Sequence, residues 1–214
     1  MRVTIAGGHG QIAQHLERQL SRAGHEVVAM IRKPEQAADV EANGASTVMI
    51  DLEKTDVEEM ARAIDGSDAV VFAAGGGGDG SKERKEIVDK GAAIMLADAA
   101  ERAGVSRYLM VSAMGTDQID PDSDDVFQVY LRAKLAADED LQKRSLAWTI
   151  VRPGKLTDEP GTGLVQVGSL SRGEVPREDV AAVLVAALDS TRTVGKTFDL
   201  LGGDDEVEEA LRKL

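Results

Sequence analysis

The chain has 214 residues, 43% of them apolar and 29% charged, which is the balance of a globular protein with chain enough for one large core. Its 25 Lys and Arg stand against 38 Asp and Glu, and the net charge of −13 argues against nucleic-acid or anionic-membrane partners, because both demand a basic face. The absence of cysteine excludes disulfides, thiolate catalysis and cysteine metal sites, and aromatics at 3% leave the core to Ala, Val, Leu and Ile. No apolar run approaches the roughly 20 residues of a membrane-spanning helix. Met1-Arg2 leads straight into a strand pattern rather than a signal peptide, so a cytoplasmic location is expected.

Short β-branched runs alternate with longer amphipathic ones along the chain. Arg2–Ala6 reads as a strand and Gln11–Ala23 as a helix closed by Gly24. Glu26–Ile31 is the next strand, followed by a helix over Glu35–Ala42 that Asn43-Gly44 stops. Thr47–Ile50 (strand), Val57–Ile64 (helix) and Ala69–Ala73 (strand) continue the alternation. The glycine-rich stretch Gly75–Gly80, either a flap over a bound ligand or a plain flexible loop, precedes a long helix at Glu83–Ala103 and a strand at Arg107–Ser112. An acidic loop, Asp120–Asp125, leads to a helix at Phe127–Lys143 and a strand at Ala147–Arg152, cut off by Pro153-Gly154. Repeated strand–helix–strand units with near-continuous apolar strands predict a doubly wound α/β fold with a parallel sheet. The last sixty residues differ. Pro153–Glu174 is rich in Gly and Pro, with a short strand at Leu164–Val167; a helix at Arg177–Leu188, a strand at Thr197–Leu201 and a helix from Val207 follow. We read one domain over residues 1–214, with a small C-terminal cap and with 153–176 as the substrate loop.

The most informative stretch is the first turn, Gly7-Gly8-His9-Gly10-Gln11-Ile12-Ala13, which carries G-x-G-x-x-A between a strand and a helix. A dinucleotide's pyrophosphate requires a sharp exit from the strand, exposed backbone N–H groups and a helix N-terminus facing the anion. Glycines permit the turn, and a small third residue, here Ala13, lets the helix pack on the strand. The end of the second strand offers Arg32-Lys33 and no carboxylate. An arginine there accommodates the 2′-phosphate of NADP, whereas NAD sites carry an acid. Arg32 and Lys33 are therefore candidates for that phosphate, with a solvated strand end as the plain alternative; NADP is the expected cofactor and NAD the alternative. Asp51, after the third strand, is a candidate for the adenine amino group or for loop capping.

Ser112 closes the fifth strand, and Tyr130 and Lys134 form Y-x-x-x-K on the following helix, which puts phenol and ammonium on one face. A free phenol with a pKa near 10 exchanges protons poorly at neutral pH, and a neighbouring ammonium lowers that pKa. The serine hydroxyl is suited to hold a substrate oxygen.

With these residues in place the chain resembles the short-chain dehydrogenase/reductase superfamily, and more closely its atypical branch of small, epimerase/dehydratase-like NAD(P)H-binding proteins. The likeness runs through Gly7-Gly8-His9-Gly10, Arg32, Asp51-Leu52, Ala73-Ala74-Gly75, Val111-Ser112-Ala113, Tyr130 with Lys134, Thr149–Gly154 and Arg177–Ala181. It implies a Rossmann fold. It implies Ser112 as the group that polarises substrate, Tyr130 as proton donor or acceptor, and Lys134 as helper to both phenol and nicotinamide ribose. It also implies cofactor contacts from Gly7, Gly8, His9, Gly10, Gln11, Ile12, Arg32, Lys33, Asp51, Leu52, Ala73, Ala74, Gly75, Lys134, Pro153 and Gly154. Met114 and Phe127 join Pro153-Gly154 as an expected pocket wall. The family's typical asparagine, in the helix before the serine strand, is missing: the only asparagine is Asn43. The expected activity is NADP-dependent hydride transfer involving a small carbonyl or alcohol. Sugar-nucleotide epimerisation or dehydration with bound NAD is one alternative, and a non-enzymatic NAD(P)H sensor another. The three histidines show no metal spacing, so no metal is expected, and the oligomeric state stays open between monomer and homodimer.

Overall fold

The computed structural model describes residues 1–77 and 81–214. Part of the proposed flap, Gly78, Asp79 and Gly80, lies outside the described residues. The first half is a run of parallel strand–helix units: β1 (Arg2–Ala6), α1 (Gln11–Arg22), β2 (Glu26–Ile31), α2 (Ala37–Ala42), β3 (Ser46–Met49), α3 (Val57–Ala63) and β4 (Ala69–Phe72). The second half opens with a helical run over residues 82–103, then β5 (Arg107–Val111), α6 (Val126–Gln142) and β6 (Ala147–Pro153). That helical run is not uniform. A short α4 (Lys82–Arg84) passes into a π-helical segment, Lys85–Ala92, before regular α5 (Ala93–Ala103). Single π turns within helices are frequent at functional sites, because the extra residue per turn re-aims the side chains.

Among the described residues, and with β8 (Leu164–Gly168), β10 (Lys196–Gly202) and β11 (Asp205–Glu206) from the C-terminal region, the central sheet has nine strands in the order β3-β2-β1-β4-β5-β6-β10-β8-β11. From β3 to β10 (Lys196–Gly202) every pairing is parallel. Order 3-2-1-4-5-6 reverses direction between β1 and β4, and that switch point opens a crevice at the carboxyl ends of the strands. Strands such as β4 and β5 are buried along their whole length, because helices cover both faces of a parallel sheet. One face packs α1, α7 (Arg177–Asp189) and α8 (Val207–Arg212) through Leu16, Leu20, Val180 and Leu184. The other packs α3, α5 and α6 through Met60, Leu96, Ala97 and Leu141. With few aromatics available, alanines at α5 positions 93, 97, 99 and 100 let the helix sit close to the sheet.

The C-terminal region divides into two parts. β10 extends the parallel sheet beside β6, and β8 (Leu164–Gly168) adds to it antiparallel, followed by the two-residue β11 (Asp205–Glu206). Outside the sheet, β7 (Lys155–Thr157) and β9 (Glu174–Pro176) form a two-stranded parallel ribbon. Hence much of the expected cap is sheet edge. The ribbon strands are three residues each, too short to display any periodicity in the sequence.

Candidate cofactor crevice and active site

The turn out of β1 is built by its glycines. Gly7 sits at φ +84°, and a Cβ there would lie 2.6 Å from the Cα of Ala74. A Cβ on Gly8 would fall 2.5 Å from that of Ala29 on β2. These two positions let the turn lie flat against the sheet. Gly10 differs: its N–H donates to the Gly7 carbonyl at 2.8 Å, and an added Cβ would meet that oxygen at 3.0 Å, with its next neighbour at 3.6 Å. Gly10 caps α1 without any side-chain acceptor, and the helix has no acid in its first turn. Its N–H groups and positive dipole end are therefore left for an external anion. Fully buried Ala13 brings the helix onto the strand.

A crevice of about 270 Å³ opens in front of this turn. Of the residues expected to bind cofactor, Gly7, His9, Gly10, Arg32, Asp51, Leu52, Ala73, Ala74 and Gly75 line it. Gly8, Gln11, Ile12, Lys33, Pro153 and Gly154 do not. Gly8 packs beneath the turn, Ile12 is in the core, and Gln11 donates to Asp158 at 3.5 Å. His9 Nε2 lies 2.8 Å from Asp39. The uncapped helix end, the glycine floor and the basic far edge fit the anionic half of a dinucleotide.

At that far edge Arg32 reaches Glu53 Oε1 at 3.3 Å, and Arg84, from α4, reaches the same oxygen at 2.9 Å. The strand tip therefore lacks an acid of its own, but the loop after β3 supplies one. Gln36 fixes the backbone of the tip by accepting from both Arg32 N and Lys33 N at 3.1 Å. Asp51 bridges Lys54 at 3.1 Å and accepts from the Glu53 amide. Burial raises its pKa, but the Lys54 hydrogen bond, the amide and Arg32 outweigh that, and the carboxyl stays below its ordinary value. Loop capping by Asp51 is thus realised while its side chain still borders the crevice.

Lys134 abuts the wall beyond Gly75. Its Nζ donates to Val111 O at 3.1 Å and to Ala74 O at 3.4 Å, and Asp89 Oδ1 lies 3.3 Å away. Asp89 belongs to the π segment and is wholly buried; its other oxygen accepts the Gly76 N–H at 2.9 Å. The helix that lacks the family's asparagine therefore places an aspartate on the lysine. Half-buried Tyr130 has Lys134 5.9 Å and Lys85 5.5 Å from its ring centre, with the Phe127 ring tilted beside it at 6.0 Å. Lys85 also donates to Gly77 O. The phenol departs from expectation: burial, then Asp89 and Asp138, push its pKa above the ordinary value rather than below it. The main reason is that burial disfavours the charged phenolate, and Asp89 and Asp138 add to it.

Ser112 also differs. Only 4% of it is exposed, and its Oγ has no hydrogen bond of normal geometry. It faces Asp138, whose charged form it favours, rather than open space for a substrate oxygen. Asp138 is one turn beyond Lys134, fully buried, and bonded to Arg152 Nε and Nη2 at 2.8 Å each. Burial raises its pKa against the pull of Arg152. Tyr130, Lys134 and Asp138 thus form one i, i+4, i+8 stripe on α6. The continuation to Asp138 was readable in the sequence, whereas Asp89, Arg152, Glu53 and Arg84 carry no local signal.

Pro153 and Gly154 hold strands together: Pro153 O accepts from Met114 N at 3.0 Å, and a Cβ on Gly154 would strike Gly173 O at 2.5 Å. Phe127 is exposed. Part of the expected substrate loop is fastened by the first turn of α7, where Glu178 accepts from Gly161 N and Asp179 from the amides of Thr162 and Gly163. Among the described residues there is no cluster of three or more acids and histidines suited to a metal, and no helix long and apolar enough to cross a membrane.

The fold and crevice define a doubly wound nucleotide-binding protein. The chain belongs to the NAD(P)H-binding family, whose pattern matches residues 7–191. A Bacillus subtilis protein called an uncharacterised sugar epimerase, YhfK, is 40% identical over the full length of both chains. A solved Bacillus halodurans structure, named as an NAD-dependent epimerase/dehydratase, superposes with a TM-score of 0.91 at 37% identity, covering all of both chains. The oxidoreductase YlbE of Lactococcus lactis is similar at a TM-score of 0.88 and 31% identity, over 100% of this chain and 96% of that one.

Proposed function

We propose that this protein is an NADP(H)-dependent reductase of a small carbonyl compound, with Tyr130 as the proton donor. The observation that carries this reading is a juxtaposition: through Ala74, the dinucleotide crevice adjoins Lys134 and the cation-flanked phenol of Tyr130. A bound nicotinamide would supply the hydride. A phenol held protonated suits donation to a developing alkoxide, which is the reductive direction, better than proton removal from an alcohol. Lys85 and Lys134 beside the ring would favour the negative charge that builds up as the proton leaves. Arg32 on the crevice wall supports NADP, since a charge-assisted contact to the 2′-phosphate contributes about 1.5–3 kcal/mol, roughly tenfold to a hundredfold in affinity.

NADPH absorbance in the presence of a panel of aldehydes, ketones and quinones tests the reading. Turnover by the unmodified chain and a loss of about 10²–10⁴ in Tyr130→Phe is the expected result. Activity that survives in Tyr130→Phe removes the assigned role. Consumption of no panel member would favour a second reading, cofactor binding without turnover, which the closed Ser112 hydroxyl and the Lys134–Asp89 pair support.

A further inference from the structure

We propose that Arg32 and Arg84 together form the seat of a phosphomonoester, the 2′-phosphate of a bound adenosine, and that Glu53 occupies this seat until the phosphate displaces it. The inference rests on the NADP reading and adds two residues to it. Arg32 comes from the tip of β2, Glu53 from the loop after β3, and Arg84 from α4, yet all three border one crevice. Both guanidinium groups donate to a single oxygen, Glu53 Oε1, at 3.3 and 2.9 Å. Two planar forks thus converge on one carboxylate oxygen. A phosphomonoester brings nearly two negative charges and three acceptor oxygens, matching paired guanidiniums better than a carboxylate does.

Glu53 is suited to leave. It stands on a surface turn held by the Asp51 side chain, about a third of its own side chain is exposed, and it can rotate into water. The ribose of NAD carries no phosphate and has no charge with which to compete for the arginines. Discrimination between the two cofactors then lies in who holds the arginine pair. Arg84 also donates to Gly76 O at 3.3 Å, so a purely structural role for it, supporting the glycine segment, predicts the same effect on every ligand.

Calorimetric titration of the whole chain with NADPH, NADH, adenosine 2′,5′-bisphosphate and ADP separates these possibilities. Arg84→Met should weaken NADPH and the bisphosphate about tenfold while leaving NADH and ADP within about twofold. Arg84→Lys should recover part of the loss, because charge returns without the fork. Glu53→Gln should strengthen the two 2′-phosphorylated ligands alone. Equal weakening of all four ligands by Arg84→Met, or no weakening, overturns the proposal, as does selective loss of NADH in Glu53→Gln, which would make Glu53 a ribose acceptor. Failure of the unmodified chain to prefer NADPH would defeat the NADP reading itself. A clear NADPH preference that ignores Arg84 would defeat this inference alone. Thermal unfolding of each variant verifies that it is folded.

Discussion

The two ends of the crevice are built on opposite plans. At the phosphate end, the first turn of α1 is left for a visitor, since it starts with no side-chain cap and no acid, although the Gly8 and Gly10 N–H groups are spent on Met30 O and Gly7 O. At the reaction end, polar groups are consumed by one another. Lys134 is held by Asp89 and two carbonyls, Asp138 by Arg152, and Ser112 is shut in. The first plan is what binding a charged ligand requires, since an anion is stabilised only by donors that are not already spent. The second resembles a buried ionic network, which fixes one arrangement of side chains and is costly to break at a single member. Substitutions at the first end should therefore read out in affinity, and those at the second in stability as well as turnover.

Lys134→Met breaks this contrast most severely if it holds. The change strands the carboxylate of Asp89, which is 0% exposed, with the Gly76 N–H as its remaining hydrogen-bond donor. Losing one partner of a buried pair costs about 3–5 kcal/mol. Denaturant unfolding should show that loss, whereas Tyr130→Phe should unfold near the unmodified midpoint. A Lys134→Met variant of unchanged stability would mean that the ammonium is free for the ribose after all.

Gly10→Leu sharpens the other side. A leucine there adds bulk to the crevice floor, while its Cβ comes closest to the Gly7 carbonyl, at 3.0 Å. Cofactor affinity should fall by roughly a hundredfold, near 2.7 kcal/mol, in a protein whose circular dichroism is intact. Gly7→Ala should do the reverse. A positive φ and the Ala74 backbone at 2.6 Å make it a folding defect first. Unchanged binding by folded Gly10→Leu would relocate the pyrophosphate.

The uneven legibility of the two ends has the same origin. Strands buried on both faces announce themselves by continuous apolar runs, and the glycine turn must be contiguous in sequence because one turn makes the whole anion site. The expected helix end at Gly24 appears with φ +83°, and Gly104 ends α5 at +72°, both in the left-handed conformation that glycine tolerates. The reaction end is assembled from β5, the π segment, α6 and β6. Its pairs Lys134–Asp89 and Asp138–Arg152 join residues from different elements, and no local pattern marks them. Y-x-x-x-K shows where the lysine sits but neither which carboxylate takes its charge nor how deeply the phenol is buried, and burial first, then Asp89 and Asp138, sets the direction of the Tyr130 shift. Glu53 was invisible for a similar reason, since the acid near Arg32 arrives from the next strand's loop.

Glu17 offers the smallest and most pH-dependent test of how the phosphate end is supported. It lies on the inner face of α1, 0% exposed, with Asn43 donating to Oε2 at 3.0 Å and no hydrogen bond on Oε1. Burial raises its pKa from 4.5 to about 7, against smaller opposing effects from Asn43 and Arg18. Between those values the folded chain holds a proton that the unfolded chain has released, so stability falls as pH rises through this window. Above it, the buried charge costs roughly 3 kcal/mol at full effect. Glu17→Gln removes the charge while keeping an acceptor for Asn43, although its amide must find a partner of its own. We therefore expect a gain of roughly 1–2 kcal/mol at pH 8 and almost none at pH 5, measured by urea unfolding at both. Cofactor affinity should stay the same, because Glu17 faces the core rather than the crevice. An equal gain at both pH values would point to packing rather than charge, and a loss at pH 8 would mean that the ionised carboxylate has a partner on α1 or α2 strong enough to hold it.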